Sequence, residues 1–283
     1  MENKTVYQYS VIIPYRDTLV LLHKAVASIP DREDIQVIIV DNSVVPLTEE
    51  QIPKKQSANV VYITSDPTMG AGRARNEGLK QAQGRWLLFL DADDYFTDDA
   101  VTTFDKYLTS DYDIIYFDAD SIRLKDGTQS DRHETIHHLI QGFLDKGDEG
   151  LLRYRFVNPI SKMLKADFVL NGGFKFDETR VSNDVWFSVQ TGHAARKVTA
   201  DASKVYMITA GESGSSLTRK RTSENWFIRY QVSVKVNKFL KSVGKYQYHI
   251  RLLGFLNIAL KEFGFKEYLH FLNYALKNGV GIF

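Results

Sequence analysis

Apolar positions along the first 120 residues come in short unbroken runs, separated by stretches in which they recur every three or four residues. "YSVIIPY" (9–15) is β-branched, ends at Pro14-Tyr15 and predicts a buried strand. "TLVLLHKAVASI" (18–29) changes period, with Leu22, Val26 and Ile29 at helical spacing. "IQVIIVDNS" (35–43) and "NVVYIT" (59–64) predict two further strands, and "GAGRARNEGLKQAQG" (70–84) a helix bounded by glycines. "RWLLFLD" (85–91) and "DIIYFDAD" (113–120) read as a fourth and fifth strand, with a helix between them near 98–108. Strands apolar on both faces that alternate with helices predict an α/β fold with a mostly parallel central sheet and flanking helices. Ligands of such sheets bind beyond the carboxyl ends of the strands, where Asp41, Asp91 and Asp93 fall.

The second half changes character. "SIRLKDGTQSD" (121–131) predicts a polar hairpin turning at Asp126-Gly127. "NPISKMLKADFVLNGGFKFDE" (158–178) mixes short strands and turns; "DVWFSVQTGHAA" (184–195) reads as a helix and "SKVYMIT" (203–209) as a strand. "AGESGSSLTRKRT" (210–222) is a Gly/Ser-rich basic loop. From 223 onward helical spacing dominates, through Trp226, Tyr230 and Val234, then Ile250, Leu253 and Leu260, then Tyr268, Leu272 and Leu276. The expected division is a sheet domain over 1–220 and a helical extension over 221–283.

The densest chemistry lies at "RWLLFLDADDYF" (85–96), where five apolar residues run into Asp91, Asp93 and Asp94. Like charges so close repel, and desolvating them is costly. Residues i and i+2 of an extended segment face one side, so Asp91 and Asp93 face one ligand. A hard divalent cation, sharing carboxylate oxygens with substrate phosphates, would relieve the repulsion. Helix capping is the competing account, but Thr97 with Asp98 and Asp99 already offers a cap and an acidic first turn. Asp41 either accepts a hydrogen bond from a base or ribose, or closes its strand as an Asx-turn. "GAGRARNEG" has part of a dinucleotide-binding spacing, but Arg75 stands at the third glycine position and "SDPTM" separates it from the preceding strand. Arg73 and Arg75 either meet phosphate or lie on a solvated helix face. Spacing alone makes Asp184 a first-turn acid behind a Ser182 or Asn183 cap. His137, His138 and His193 have no partners at metal-ligand spacing. Lys238, Lys241, Lys245 and Arg251 fit either a solvated helix face or a membrane-surface face.

Composition narrows the class. A formal net charge of +1 argues against a general nucleic-acid binder. The chain has no cysteine, hence no disulfide framework or thiolate metal site, which fits a cytoplasmic location. Neither "VIIP" near the start nor "LLGFLNIAL" (252–260) reaches the length of a signal-peptide core or a membrane span. Peripheral contact with a membrane stays open.

Taken in order, "SVIIPYRD", "VIIVDNS", "GAGRARNEGLKQAQGRWLLFLDADD", "FVNPISKMLKADFVLNGGFKFDE" and "NDVWF" resemble the inverting family-2 glycosyltransferases of the GT-A fold that build bacterial polysaccharides. The resemblance covers residues 8–220 and is most specific at Ala74-Arg75-Asn76-Glu77-Gly78 leading into Asp91-Ala92-Asp93. It implies roles by position. Pro14, Tyr15 and Arg16 line the nucleotide pocket, and Asp41 contacts the base. Gly72 and Arg75 lie beside the nucleotide. Asp91 faces ribose or metal-bound water, Asp93 binds Mg²⁺ or Mn²⁺ at the diphosphate, and Asp184 is the catalytic base. The sequence departs from the family twice: Asn42 follows Asp41 where a second acid is common, and Asn183 stands where Glu usually precedes the base.

The implied reaction is metal-dependent, inverting transfer from a nucleotide-diphosphate sugar, a UDP-sugar first, to a hydroxyl of a saccharide or lipid-linked saccharide. Stabilised charge on the leaving diphosphate and a base at the acceptor hydroxyl would drive it. The loop with Arg219 and Lys220 would close over the diphosphate. Two alternatives stay open. A sugar nucleotidyltransferase should carry a longer glycine-rich loop than "IIPYRDTL", and a non-catalytic nucleotide-sugar-binding or scaffold protein would tolerate Asn183.

Overall fold

A computed structural model describes residues 7–211 and 222–281. In chain order its elements are β1 (Tyr9–Tyr15), α1 (Leu19–Ala27), β2 (Ile35–Asp41), β3 (Val60–Thr64), α2 (Gly70–Gln81), β4 (Trp86–Phe89), β5 (Tyr95–Phe96), α3 (Ala100–Asp105) and β6 (Ile114–Arg123). They continue with α4 (Glu134–Lys146), α5 (Glu149–Arg155), β7 (Lys162–Lys165), α6 (Ala166–Asn171), α7 (Val185–Ala194), β8 (Val198–Ala210), α8 (Ser223–Ser242), α9 (Leu253–Ile258) and α10 (Phe265–Lys277).

The strands form one sheet in the order β3-β2-β1-β4-β7-β6-β8-β5. β1 runs parallel to β2, from Tyr9↔Ile35 to Tyr15↔Asp41, and parallel to β4; β2 and β3 are also parallel. The apolar residues of β1, β2 and β4 are buried, nearly all of them fully, as expected for parallel strands covered by helices, while those of the edge strand β3 are half-buried. β7 is antiparallel to both β4 and β6, while β6 and β8 pair in parallel through an irregularity at Phe117–Ala119. The carboxyl ends of β1, β2 and β4 therefore open onto one edge, with Asp91, Asp93 and Asp94 immediately past β4.

Several sequence expectations change on folding. Residues 158–178 contain a helix, α6, directly after β7. Helices α4 and α5 fill a stretch the periodicity left unassigned. Thr97 does not cap the helix after Asp94: its hydroxyl donates to the Lys204 carbonyl 2.8 Å away, and α3 begins at Ala100 without a side-chain cap. The hairpin at Asp126-Gly127 forms, with the Arg123 amide donating to Thr128, the Ser130 amide to Ser121, and Gly127 at φ 69°.

Residues 223–277 are built of helices, including a π turn over Ala259–Phe263 before Gly264 at φ 94°. Tyr230, Val234, Leu256, Phe271 and Ala275 form their own buried cluster. Val236 and Leu240 of α8 pack with Tyr154 and Val189 of the sheet-bearing part. Among the described residues, no helix is long and apolar enough to cross a membrane.

Candidate active site

The Ala74-Arg75-Asn76-Glu77-Gly78 segment is a bracket between the sheet and a loop a hundred residues away. Gly78 lets α2 close onto β1: an added Cβ would come 2.5 Å from Ile12 Cγ2. Gly72 lets the 177–183 loop lie on α2, since a Cβ there would come 2.1 Å from the Asp177 carbonyl oxygen. The Asn76 amide grips Phe176 on both sides, donating to its carbonyl at 3.0 Å and accepting from its N–H at 2.9 Å. The Phe176 ring stacks on Phe187 of α7 at 3.9 Å between centroids, and both meet Phe89 of β4 edge-on. Such contacts are worth about 0.5–1.5 kcal/mol each beyond their burial. They set the start of α7, and so Asp184, against the end of β4, and so Asp91.

Arg75 joins the two. Its buried guanidinium donates to Asn183 Oδ1 at 3.0 Å and to Asp91 Oδ1 at 2.5 Å. Arg73 instead stays at the surface, paired with Glu77 and Glu178. The open question about these two arginines thus resolves differently for each: one is solvated, and the other is enclosed and holds a carboxylate. Asn183 brings no charge, so Asp91 is the carboxylate bonded to Arg75.

Asp91, Asp93 and Asp94 each offer an oxygen within 4.8 Å of the others, and among the described residues they are the group of acids or histidines arranged to hold a metal ion. Their duties differ. Asp94 is buried and accepts from the Thr209 N–H of β8 at 2.7 Å. The Tyr206 hydroxyl accepts from the Asp91 N–H at 3.0 Å and hydrogen-bonds Asp94. Burial and the charges of Asp93 and Asp91 hold the Asp94 carboxyl well above the ordinary carboxylate range. Asp93 is exposed at the cleft; the surrounding protein, then the Asp91 charge, raise its carboxyl, and Arg132 and Arg75 act in the opposite sense. Hard carboxylate oxygens that no neighbouring donor claims suit Mg²⁺ or Mn²⁺. The donor set fits such an ion, with Asp93 and the second oxygen of Asp91 as the ligands available.

Asp41 follows another logic. It is buried; Oδ1 accepts from the Ser43 N–H at 2.8 Å, and Oδ2 accepts from the Leu47 N–H at 2.9 Å and the Tyr62 hydroxyl at 2.7 Å. Of roughly four acceptor sites on a carboxylate, three are taken, two by the loop after β2 and one by Tyr62 of β3. The Asx-turn is therefore present. Asn42 ties that loop to its neighbours through its N–H on the Tyr15 carbonyl and its amide on Asp66. Tyr15 is buried below it; Arg16 stands exposed at the mouth, donating to the Pro67 carbonyl at 3.4 Å.

Asp184 occupies the N-cap position of α7, but its carboxylate caps nothing: no backbone N–H of the helix bonds to it. Burial raises its carboxyl, Arg75 lowers it, and Asp91 raises it further. Lys162, also buried, donates to the Phe156 carbonyl at 2.7 Å, and burial lowers its ammonium well below the usual range while Asp184 opposes the shift. Ser182 and Val185, close to Asp184 in sequence, line a cavity of about 320 Å³ between α5, α7 and α8 together with Tyr154, Trp226 and Arg229 among others; Asp184 itself is not in its lining.

Among the described residues, the histidines form no such group. His137 pairs with Asp118, His138 bonds the Glu134 carbonyl, and His193 meets the Tyr154 hydroxyl. Arg219 and Lys220 lie outside the described residues. Arg132, Lys162 and Tyr206 escaped the sequence reading. Arg132 sits just past the polar hairpin with no motif around it, and the others look like ordinary strand residues.

Residues 10–169 match the family model described as glycosyl transferase family 2. The chain belongs to that family. The match runs from β1 into α6, stopping short of Asp184. Curated relatives agree over shorter stretches. The minor teichoic acid biosynthesis protein GgaB of Bacillus subtilis is 36% identical over 95 residues, 31% of this chain and 10% of that protein. The UDP-Glc:alpha-D-GlcNAc-diphosphoundecaprenol beta-1,3-glucosyltransferase WfaP of Escherichia coli is 39% identical over 64 residues, 23% of this chain and 26% of that protein. The matches thus span about a tenth to a quarter of those two relatives. Among solved structures, S. aureus TarS 1-349 in complex with UDP-GlcNAc superposes with TM-score 0.67 at 16% identity, over 96% of this chain and 81% of that one. The mannosyltransferase PcManGT of Pyrobaculum calidifontis, in complex with GDP-Man and Mn2+, gives TM-score 0.52 at 13% identity, over 97% and 81%. These likenesses identify the GT-A fold of the glycosyltransferase.

Proposed function

We propose that this glycosyltransferase moves a sugar from a nucleotide-diphosphate donor, a UDP-sugar first, to a hydroxyl of a saccharide or lipid-linked saccharide, inverting the anomeric centre. The observation that carries the reading is the pairing of two carboxylate sites across Arg75. One is an acid cluster with oxygens to spare, and the other is Asp184, a raised carboxylate that caps no helix amide and whose neighbours Ser182 and Val185 line a cavity. UDP-GlcNAc in the related TarS fold, and diphosphoundecaprenol in the printed name of WfaP, support the donor and acceptor classes.

The roles divide as follows. The residues at the ends of β1 and β2, Pro14, Tyr15, Arg16 and Asp41, shape the nucleotide pocket, and Gly72 and Arg75 border it. Asp91 and Asp93 would hold Mn²⁺ or Mg²⁺, whose chemistry is to stabilise negative charge on the departing diphosphate. Arg132, anchored to the Thr209 carbonyl at 2.7 Å and close enough to Asp93 to lower its carboxyl, adds a fixed positive charge. Asp184 takes the proton of the acceptor hydroxyl as that oxygen attacks the anomeric carbon and the carbon–oxygen bond to the diphosphate breaks. Its raised proton affinity suits a base that must accept a proton in the transition state. The extension, residues 221–283, supplies one wall of the acceptor cavity through Trp226 and Arg229.

A donor panel with Mn²⁺, read as nucleotide diphosphate released in the presence of a candidate acceptor, tests the proposal. NMR of the product reports the anomeric configuration. Release only from the nucleoside triphosphate, or retention of configuration, would overturn it.

A further inference from the structure

Residues 222–281 carry nine lysines and arginines against three carboxylates, in a chain whose total formal charge is +1. The basic excess is thus concentrated in the helical extension, and the rest of the chain is net acidic. The same segment holds half of the large apolar side chains that stand exposed among the described residues: Tyr246, Leu253, Leu260, Phe265, Leu269 and Leu276.

On α10 these two features are ordered. Phe271 and Ala275 are fully buried and point into the cluster with Tyr230 and Leu256. Phe265, Leu269 and Leu276, at i, i+4 and i+11, fall in one narrow sector of a helix with about 100° per residue, while Leu272 in the same sector is half-buried and packs against the cluster. That sector lies about 100° from the buried one. It forms a second apolar stripe, with Phe265 at 64% and Leu276 at 63% exposure. Lys266 and Lys277, both exposed, lie about 100° to its other side. Glu267 projects elsewhere and accepts from the Ser223 hydroxyl at 2.9 Å. A stripe of this kind beside lysines fits a helix lying in the plane of a lipid interface, its apolar face among acyl chains and its ammonium groups at the headgroups.

We propose that α10 docks this glycosyltransferase on an anionic lipid surface. Charge decides between lipid and a second copy of the chain. Two basic extensions meeting face to face would repel, whereas anionic headgroups complement them. The proposal does not depend on the donor or on the reaction; it concerns the outer face of the extension alone.

Co-sedimentation of the full chain with phosphatidylcholine vesicles, with and without phosphatidylglycerol, tests it. The wild type should pellet with the anionic vesicles, weakly with the neutral ones, and less as salt rises. The double variant Leu269→Glu/Leu276→Glu should lower partitioning by about tenfold or more. Lys266→Gln/Lys277→Gln should lower it less and flatten the salt dependence. All four positions are exposed, so the thermal melt should be unchanged, and nucleotide release with a water-soluble acceptor should persist. Equal binding by wild type and the Leu variant would overturn the proposal. So would absence of wild-type binding, or a dimer in light scattering that Leu269→Glu dissociates while vesicles bind neither form.

Discussion

Asp41 and Asp93 both follow apolar strands of the same parallel sheet, yet they are different objects. Asp41 is buried and spends its oxygens on Ser43, Leu47 and Tyr62, so its charge is consumed in holding the loop after β2. Asp93 faces the cleft beside two further acids, and its carboxyl is pushed up by its surroundings and by Asp91. Asp184 resembles Asp93 more than Asp41, since it is raised and serves no helix amide. A carboxylate that the fold has fully employed is structural. One that the fold has placed at a cost and left unemployed is there for something else.

The contrast breaks most visibly at Asp184. Asp184→Asn keeps the volume but cannot take a proton, so turnover should fall by roughly 10²–10⁴-fold with donor affinity nearly unchanged. The same variant should melt higher at neutral pH, by about 2–4 °C for each 1 kcal/mol of charge penalty relieved. The sign follows from the raised carboxyl. Its neutral form is favoured on folding, so the wild type matches the variant below the unfolded-state value and becomes less stable as pH rises through the folded-state value. Near wild-type turnover in a steady-state assay would move Asp184 to the structural class with Asp41.

Asp93→Ala should weaken Mn²⁺-dependent binding of UDP by more than about tenfold, seen by calorimetry with the ion and with EDTA. Equal affinities under all conditions would remove the metal site and erase the distinction between Asp93 and Asp41. Asp41→Asn should do the reverse. It turns one acceptor into a donor facing a donor, which costs about 1–3 kcal/mol in urea unfolding. Metal-dependent UDP binding should survive in the fraction that folds.

The smallest effect is one of position. If Asp184 acts as the base, turnover should fall as pH drops through its carboxyl, and that limb should lie above the usual carboxylate value near 3.9 because burial raises the group. Arg75→Met should push the limb higher still, since the Arg75 charge holds the carboxyl down. A pH–rate profile of the two proteins measures the difference, and a limb that stays put would detach Arg75 from Asp184.

Much of the fold was legible in the order of residues. The unbroken apolar runs at 11–14, 37–40 and 86–90 lie in strands because only a sheet covered on both faces buries every other side chain and its neighbour as well. The helices from 223 onward follow from a period that repeats with little interruption. The family was legible too, because Ala74–Gly78 and Asp91–Asp93 are local patterns with fixed spacing. The antiparallel insertion of β7 and the helices around it were not, since short runs such as "KMLK" satisfy several periods at once. The roles of individual charges were least legible. Spacing made Thr97 a cap, Arg75 a surface residue as readily as a ligand, and Asp184 a first-turn acid. Each assignment depended on partners far away in sequence: Lys204 for Thr97, Asn183 and Asp91 for Arg75, Phe176 and Phe89 for the start of α7. Secondary structure is decided by neighbours within a few residues, which the sequence displays. Whether a charge is spent or available is decided by what the fold brings to within about 3 Å of it, and only the tertiary structure sets that distance.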